Sequence, residues 1–163
     1  MEQGILIVQL LLLLAVANGT PVFAAKILGK ENAVPLDGNA FLSDGRRLFG
    51  SSKTIRGVLL SILLTTLCAP LVGLEIVAGF VVGSGAMIGD LFSSFVKRRL
   101  GMSASSKFMG LDQIPESFVP LLASTAFVPL APLSVAIGTI LFFLGAVVLS
   151  RVFFKLNIRD RPY

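Results

Sequence analysis

The sequence predicts an all-α integral membrane protein. It forms a single membrane-embedded domain over residues 1–163, with five transmembrane helices, the N-terminus outside, the C-terminus cytoplasmic and two cytoplasmic loops forming the active site. Three observations predict this. Apolar residues make up 55% of the chain and the mean hydropathy is +0.89, well above that of a soluble domain. The apolar residues fall into five runs separated by polar or turn-forming segments. All fourteen Lys and Arg lie in three segments: six in 26–57, four in 97–107 and four in 151–161. Five spans put these three segments on one side, which the positive-inside rule makes cytoplasmic, whereas four or six spans strand a basic segment on the wrong side.

The first span starts at residues 4–17 and runs on to Ala25. Met-Glu-Gln carries no positive charge, and Phe23 stands where a cleavage site needs a small residue. The segment therefore reads as a retained span rather than a signal peptide. Asn18-Gly19-Thr20-Pro21 interrupts it. Either the helix ends at Asn18, or backbone freed by Pro21 is tolerated against protein or a water-filled cavity. Residues 26–57 form a long polar segment with turn signals at Pro35, Asp37-Gly38 and Asp44-Gly45. The second span covers 58–74, with Pro70 kinking or ending it, and Glu75 marks a short outer turn. The third covers 76–96, where Gly79, Gly83, Gly85, Ala86 and Gly89 permit close helix packing. A basic loop, 97–116, precedes a short fourth span, 117–131, and a fifth, 133–154. The tail from Lys155 to Tyr163 is basic. Arg151, Arg159 and Arg161 are assigned to topology or anionic lipid.

Histidine is absent and Cys68 is alone. That excludes Ser-His-Asp catalysis, an imidazole base, the usual zinc sites and a disulfide framework. Carboxylates, lysine, arginine, hydroxyls and a hard cation remain.

Those residues concentrate between Gly89 and Asp112. With Gly89–Arg98 helical, Asp90, Ser94, Lys97 and Arg98 share one face, and Ser93 borders it. The face suits a divalent metal on Asp90 and phosphate oxygens on Lys97 and Arg98. An acid inside a span costs about 2.5–3.5 kcal/mol on insertion scales, which a metal holding a polyphosphate would offset. Lys97-Arg98-Arg99 alone would read as a positive-inside stop, and Lys107 and Lys53 add to the basic set. If the loop folds back, Asp112 meets Asp90, and two carboxylates that close need a cation between them. Asp112 also suits the N-cap of the fourth span, with Glu116 one turn on. The segment Gly45 to Thr54 resembles a phosphate loop but places two serines between Gly50 and Lys53, and no strand precedes it. A soluble nucleoside triphosphatase is therefore excluded. Its Gly/Ser backbone beside Arg46 and Lys53 can still cradle phosphate.

Taken together, three motifs resemble the CDP-archaeol synthase family, CTP:2,3-di-O-geranylgeranylglycerol-1-phosphate cytidyltransferases. They are Asp44-Gly45-Arg46-Arg47 with Gly50, Lys53-Thr54 and Gly57; Gly89-Asp90-Leu91 with Ser94 and Lys97-Arg98-Arg99-Leu100-Gly101; and Leu111-Asp112-Gln113. The resemblance runs from Asn18 and Pro21 to the fifth span. A more distant similarity is to phosphatidate cytidylyltransferases, whose KT-x-x-G and GDL-x-x-S-x-x-KR elements resemble Lys53–Gly57 and Gly89–Arg98. The lysine-aspartate pair and the proline-glycine-histidine segment of those enzymes are missing here.

The resemblance implies transfer of CMP from CTP to an unsaturated archaeal ether-lipid phosphate, with Mg²⁺ as cofactor and pyrophosphate released. It implies Asp90 and Asp112 as catalytic metal ligands and Lys97 as a catalytic cation. Lys53, Thr54, Ser94, Lys97 and Arg98 would contact phosphates, and Asp44, Gly45 and Arg46 would belong to the nucleotide loop. Asn18 and Thr20 would supply polar contacts where the first span breaks. The expected partners are CTP, a polyprenyl glycerol phosphate lipid and the cell membrane, with a homodimer as a further association and no nucleic acid. Three rival readings are phosphatidic acid as the acceptor, a membrane protein that binds or transports an anion, and a CDP-alcohol phosphotransferase. A transporter predicts ionisable residues at mid-span. A phosphotransferase predicts a spaced run of aspartates after Asp-Gly, which neither Asp37-Gly38 nor Asp44-Gly45 continues.

Overall fold

The computed structural model describes residues 2–29, 31, 33–106 and 108–155, with side chains to residue 152. Lys107, Arg159 and Arg161 lie outside the described residues. The elements are α1 (Glu2–Ile27), α2 (Ile55–Cys68) with a 3-10 turn at Pro70–Val72, α3 (Ile76–Arg99), α4 (Gln113–Ser124) and α5 (Pro132–Lys155). No strand occurs among the described residues. Two isolated bridges, Pro35 with Thr54 and Phe41 with Arg47, shape the α1–α2 loop.

Four helical segments are long and apolar enough to cross a membrane: Glu2–Ile27, Ile55–Val72, Ile76–Arg99 and Pro132–Val152. The core is narrow. Leu10, Leu13, Leu14 and Ala17 of α1 bury one stripe against Ala78, Val82 and Ala86 of α3, and Leu121 of α4 joins them. Ile5, Val8 and Leu12 on α1 and Leu59, Leu63 and Leu67 on α2 point outward. Apolar side chains on the outer faces are what a lipid solvent requires.

The fourth span departs from the expected 117–131. Its helix begins at Gln113, stops at Ser124 and has 12 residues, so it is about 18 Å long against a hydrocarbon core of about 30 Å. Pro129 has no N–H to give, and Val128 before it is driven toward extended backbone. Residues 125–131 continue to α5 without helix. Gln3 on α1 gathers their end: its Nε2 donates to Pro129 O (2.7 Å), and its Oε1 accepts from Ala131 N (3.0 Å) and Ser134 Oγ (2.8 Å). Gln9 Nε2 donates to Val72 O at 2.7 Å. The start of α1, the α2–α3 turn and the α4–α5 connection therefore share one end of the bundle. The α1–α2 and α3–α4 loops, with their arginines and lysines, share the other.

Helix α1 does not end at Asn18. It continues through Pro21 to Ile27. Pro21 lacks the N–H that would bond Ala17 O, and Ser61 Oγ of α2 donates to that carbonyl instead, at 2.7 Å. Gly57 makes the approach possible: a Cβ there would lie 3.4 Å from Pro21 Cβ. The interruption read from the sequence is thus a buried helix–helix contact.

Helix α3 is the axis of the bundle. A Cβ at Gly79 would stand 2.6 Å from Ala69 Cβ, one at Gly85 would stand 2.8 Å from Pro120 Cα, and one at Gly89 would stand 2.2 Å from Pro115 O. Two faces of α3 are therefore cut to backbone contact with α2 and α4. The second of these brings α4 against Asp90.

Candidate active site

Asp90 sits on α3 about two turns before its last basic turn, Lys97–Arg99. Lys53, two residues before α2, extends its Nζ to 2.5 Å from both Asp90 carboxylate oxygens. Burial alone would lower the Lys53 pKa, but the Asp90 charge and hydrogen bond outweigh it and hold the ammonium above the usual lysine range. From α4, the Glu116 carboxyl reaches hydrogen-bond contact with Asp90. Carboxylates that close need a proton or a cation between them. Ser93 and Ser94 are buried on the same stretch, and Ser93 Oγ donates to Asp90 O at 3.0 Å.

A second ion pair lies toward the loop. Lys97 Nζ stands 2.6 Å from Asp112 Oδ1 and donates to Ser106 O at 2.8 Å. Asp112 Oδ1 is buried, and the Lys97 ammonium is the group that faces it. Asp112 does stand at the N-cap of α4, yet its side chain makes no capping bond. It accepts instead from Phe108 N at 2.9 Å. The expected face of Asp90, Ser94, Lys97 and Arg98 is realised, with Lys97 and Arg98 each 7% exposed. The acid that meets Asp90 directly is Glu116, while Asp112 takes its own lysine.

The α1–α2 loop folds around Asp37, whose side chain is fully buried. It accepts from Arg47, from Gly50 N at 2.9 Å, from Phe49 N at 3.2 Å and from Asn39 N at 3.2 Å. Burial would raise the Asp37 pKa, but Arg47 and the three backbone donors lower it to about 2. Sequence reasoning gave Asp37 only a turn. Its four donors come from residues up to 13 positions away, and no spacing rule announces them. The loop is pinned to α3 by Arg99, which pairs with Asp44 at 2.6 Å, donates to Arg47 O at 2.5 Å and lies 5.3 Å from the Phe95 ring centroid. Burial acts to raise the Asp44 carboxyl, yet the Arg46 N–H and Arg99 hold it below its ordinary value. Arg46 donates in return to Arg99 O. Thr54 caps α2, its Oγ1 accepting from Gly57 N at 3.1 Å.

The phosphate-binding residues expected from sequence thus fall into two groups. Lys53 and Lys97 stand with the acids. Arg46, Gly50, Ser51 and Arg98 line a separate cavity of about 250 Å³. Gly45 lies at the turn into Arg46, with φ +70°. Asn18 and Thr20 bond back to their own helix, at Leu14 O (3.1 Å) and Val16 O (2.7 Å).

No group of three or more His, Cys, Asp or Glu side chains among the described residues could hold a metal ion. The donors present are Asp90, Glu116 and Asp112, whose Oδ1 faces Lys97. They fit a hard cation that takes one or two carboxylates and fills its remaining positions with phosphate oxygens and water.

Fold and site define a membrane-embedded protein that brings buried acids and lysines to one end of its spans, suited to handling polyphosphate. The model of the family "CarS-like: CDP-archaeol synthase" matches residues 3–163, and the chain belongs to this family. It is similar to the CDP-archaeol synthase of Pyrobaculum calidifontis, at 34% identity over 96% of this chain and 98% of that one. It is also similar to that of Sulfurisphaera tokodaii, at 30% over 91% and 89%. The match to the Sulfolobus acidocaldarius enzyme is 38% identical but spans 61% of this chain and 60% of that one. A solved structure described as an intramembrane enzyme for archaeal membrane lipid biosynthesis superposes with a TM-score of 0.75. It is 29% identical, over 87% of this chain and 90% of the other.

Proposed function

We propose that the chain transfers CMP from CTP to a geranylgeranylated glycerol phosphate, giving the CDP-activated unsaturated archaeol and pyrophosphate. The observation that carries this is the Lys53–Asp90–Glu116 group at the basic end of the spans, in a chain of the CDP-archaeol synthase family. By the positive-inside rule that end faces the cytoplasm and the N-terminus lies outside, with α4 and residues 125–131 together making the fourth of five passes.

An oxygen of the lipid phosphate attacks the α-phosphorus of CTP. The bond from that phosphorus to the β-bridging oxygen breaks, and pyrophosphate leaves with the electron pair. A phosphate monoester is already anionic near neutral pH, so no strong base is needed. The enzyme's task is to position two polyanions and neutralise their charge. Lys53 holds Asp90 and Lys97 stands against Asp112. Phosphate oxygens arriving on these ammonium groups compete with the carboxylates and release them. Asp90 and Asp112 would then hold Mg²⁺, with Glu116 beside Asp90, and the ion would supply charge neutralisation and orientation of the phosphates. The lipid chains reach the site between spans, from the bilayer.

The test is CTP-dependent pyrophosphate release by detergent-purified protein with geranylgeranylated glycerol phosphate and Mg²⁺, with phosphatidic acid as a competing acceptor. Release with the ether lipid supports the reading. Release with phosphatidic acid alone overturns the acceptor, and no release with either overturns the reaction.

A further inference from the structure

We propose that the apolar groove beside Arg56 binds an anionic phospholipid of the surrounding membrane, and that this lipid braces the loop segment carrying Lys53. The site is separate from the reacting centre, and the inference does not depend on the transfer reading. The groove has a volume of about 520 Å³ and is lined by Leu28, Val34, Ile55, Arg56, Leu59 and Leu60. Sites of about 300–1,000 Å³ hold small-molecule ligands.

The lining defines an amphiphile. Five of the six residues are aliphatic, and Arg56 is the one charge. Arg56 stands at the loop end of the groove, with Leu59 and Leu60 one turn further along α2. Its Nη2 donates to Gly29 O at 2.6 Å. Among the described residues it has no ion pair, and Glu31, two residues past Gly29, makes none with it. A guanidinium carries five N–H donors, so most of its capacity is open to phosphate oxygens. A cation at the polar end of an apolar groove selects a molecule that joins a negative head to a hydrocarbon chain.

Position makes that molecule a lipid of the bilayer. The buried stripe of α2 is Gly57, Ser61 and Thr65. It packs on α1 through Pro21 and Ala17 O, and on α3 through Gly83. Ile55 and Leu59 lie two residues either side of Gly57, about 200° around the helix, and both are exposed. The groove therefore opens on the face of α2 turned away from α3, which carries Asp90. Leu59 continues into Leu63 and Leu67, the outward face of the same helix. The groove is thus the head end of a lipid-facing strip, at the basic end of the bundle. There the positive-inside rule places the cytoplasmic leaflet and its anionic headgroups.

The same residues hold Lys53. Ile55 N donates to Val34 O at 3.1 Å and Leu36 N donates to Lys53 O at 2.7 Å, either side of the Pro35–Thr54 bridge. A chain lying across Val34 and Ile55 covers this pairing and shields its hydrogen bonds from water. An occupied groove therefore stabilises the segment from which Lys53 extends.

The chain has no tryptophan, so Val34→Trp gives a single reporter in the groove. The full chain in detergent is titrated with brominated-chain phosphatidylglycerol or, as the zwitterionic control, brominated-chain phosphatidylcholine, and quenching is followed. One arginine near the headgroups should favour the anionic lipid about fivefold. Arg56→Gln in the same background should bring the two lipids to parity, and Arg56→Lys should keep most of the preference. Ile55→Glu sets a carboxylate beside Arg56, in the first turn of α2 where an acid is tolerated, and should also abolish it. It makes the test if Arg56→Gln does not fold. Unbrominated phosphatidylglycerol should raise the thermal midpoint of wild type and leave that of Arg56→Gln unchanged. Equal quenching by the two lipids in the unsubstituted groove, or a preference that survives Arg56→Gln, overturns the site. Binding without a rise in the midpoint overturns the brace. The KM for geranylgeranylated glycerol phosphate should be the same in wild type and Arg56→Gln. A raised KM, together with displacement of phosphatidylglycerol by that lipid, would make the groove the acceptor's and overturn the separate site.

Discussion

Gly89→Ala should damage the enzyme more than any other single methyl group added to its core. A Cβ at Gly89 would stand 2.2 Å from Pro115 O, 2.4 Å from Pro115 C and 2.7 Å from Glu116 N. All three are backbone atoms of α4 and its first turn, so no side chain can swing aside. Ordinary contact begins near 3.4 Å, so α4 must retreat by about 1 Å (3.4 − 2.2 = 1.2). Overpacking of this kind costs about 1–3 kcal/mol. The same retreat carries Glu116 away from Asp90, and a misplacement of about 1 Å near reacting groups costs on the order of 100-fold in rate. Gly85→Ala is the control. Its Cβ would meet Pro120 Cα at 2.8 Å, more than a turn from Asp90, so it should lose comparable stability and much less rate. Pyrophosphate release and the thermal midpoint in detergent would be measured for both. A Gly89→Ala protein with wild-type rate and midpoint would refute the argument that α3–α4 contact positions the site.

Three further outcomes follow from named contacts. Ser61→Ala should cost about 1 kcal/mol, because Ala17 O then loses the donor that replaces the missing Pro21 N–H. In a Pro21→Ala background, where the backbone donor is restored, the same change should be nearly neutral, and a double-mutant cycle in unfolding free energy reads the difference. Asp37→Asn should destabilise the α1–α2 loop by about 1–2 kcal/mol near neutral pH, after discounting for solvent screening. The Asp37 pKa is lowered from an ordinary 3.8 to about 2, so its contribution is complete above the unfolded value and is lost as pH falls through the folded one. The gap between wild type and Asp37→Asn should therefore shrink as pH drops from about 4 toward 2; a gap constant with pH would contradict this. Asp112→Asn should lower turnover on the order of 100-fold and raise the Mg²⁺ concentration needed, checked by titrating Mg²⁺ in the release assay.

The parts of this molecule that depend on local pattern were readable from sequence. Hydropathy located α2, α3 and α5, and helical spacing put Asp90, Ser94, Lys97 and Arg98 on one face. What could not be read depends on partners distant in sequence. Pro21 looked like a break because Ser61, 40 positions further on, could not be seen to serve Ala17 O. Glu116 stands one turn past Asp112 in the sequence, but its contact with Asp90 requires Gly89 to admit α4 at backbone distance. Asp37 looked like a turn residue because its donors converge only after the loop closes. Lys53 was expected to hold phosphate, and its pairing with Asp90 across the α1–α2 loop follows only from the packed bundle.

The most direct test of the central claim uses CTP labelled at the α-phosphorus and follows label into the organic-soluble lipid, with wild type and Asp90→Asn assayed side by side. The account predicts label transfer to geranylgeranylated glycerol phosphate in the wild type, with one pyrophosphate released for each label transferred, and almost none in Asp90→Asn. Transfer by Asp90→Asn at the wild-type rate would contradict the assignment of Asp90, Lys53 and Glu116 as the reacting centre.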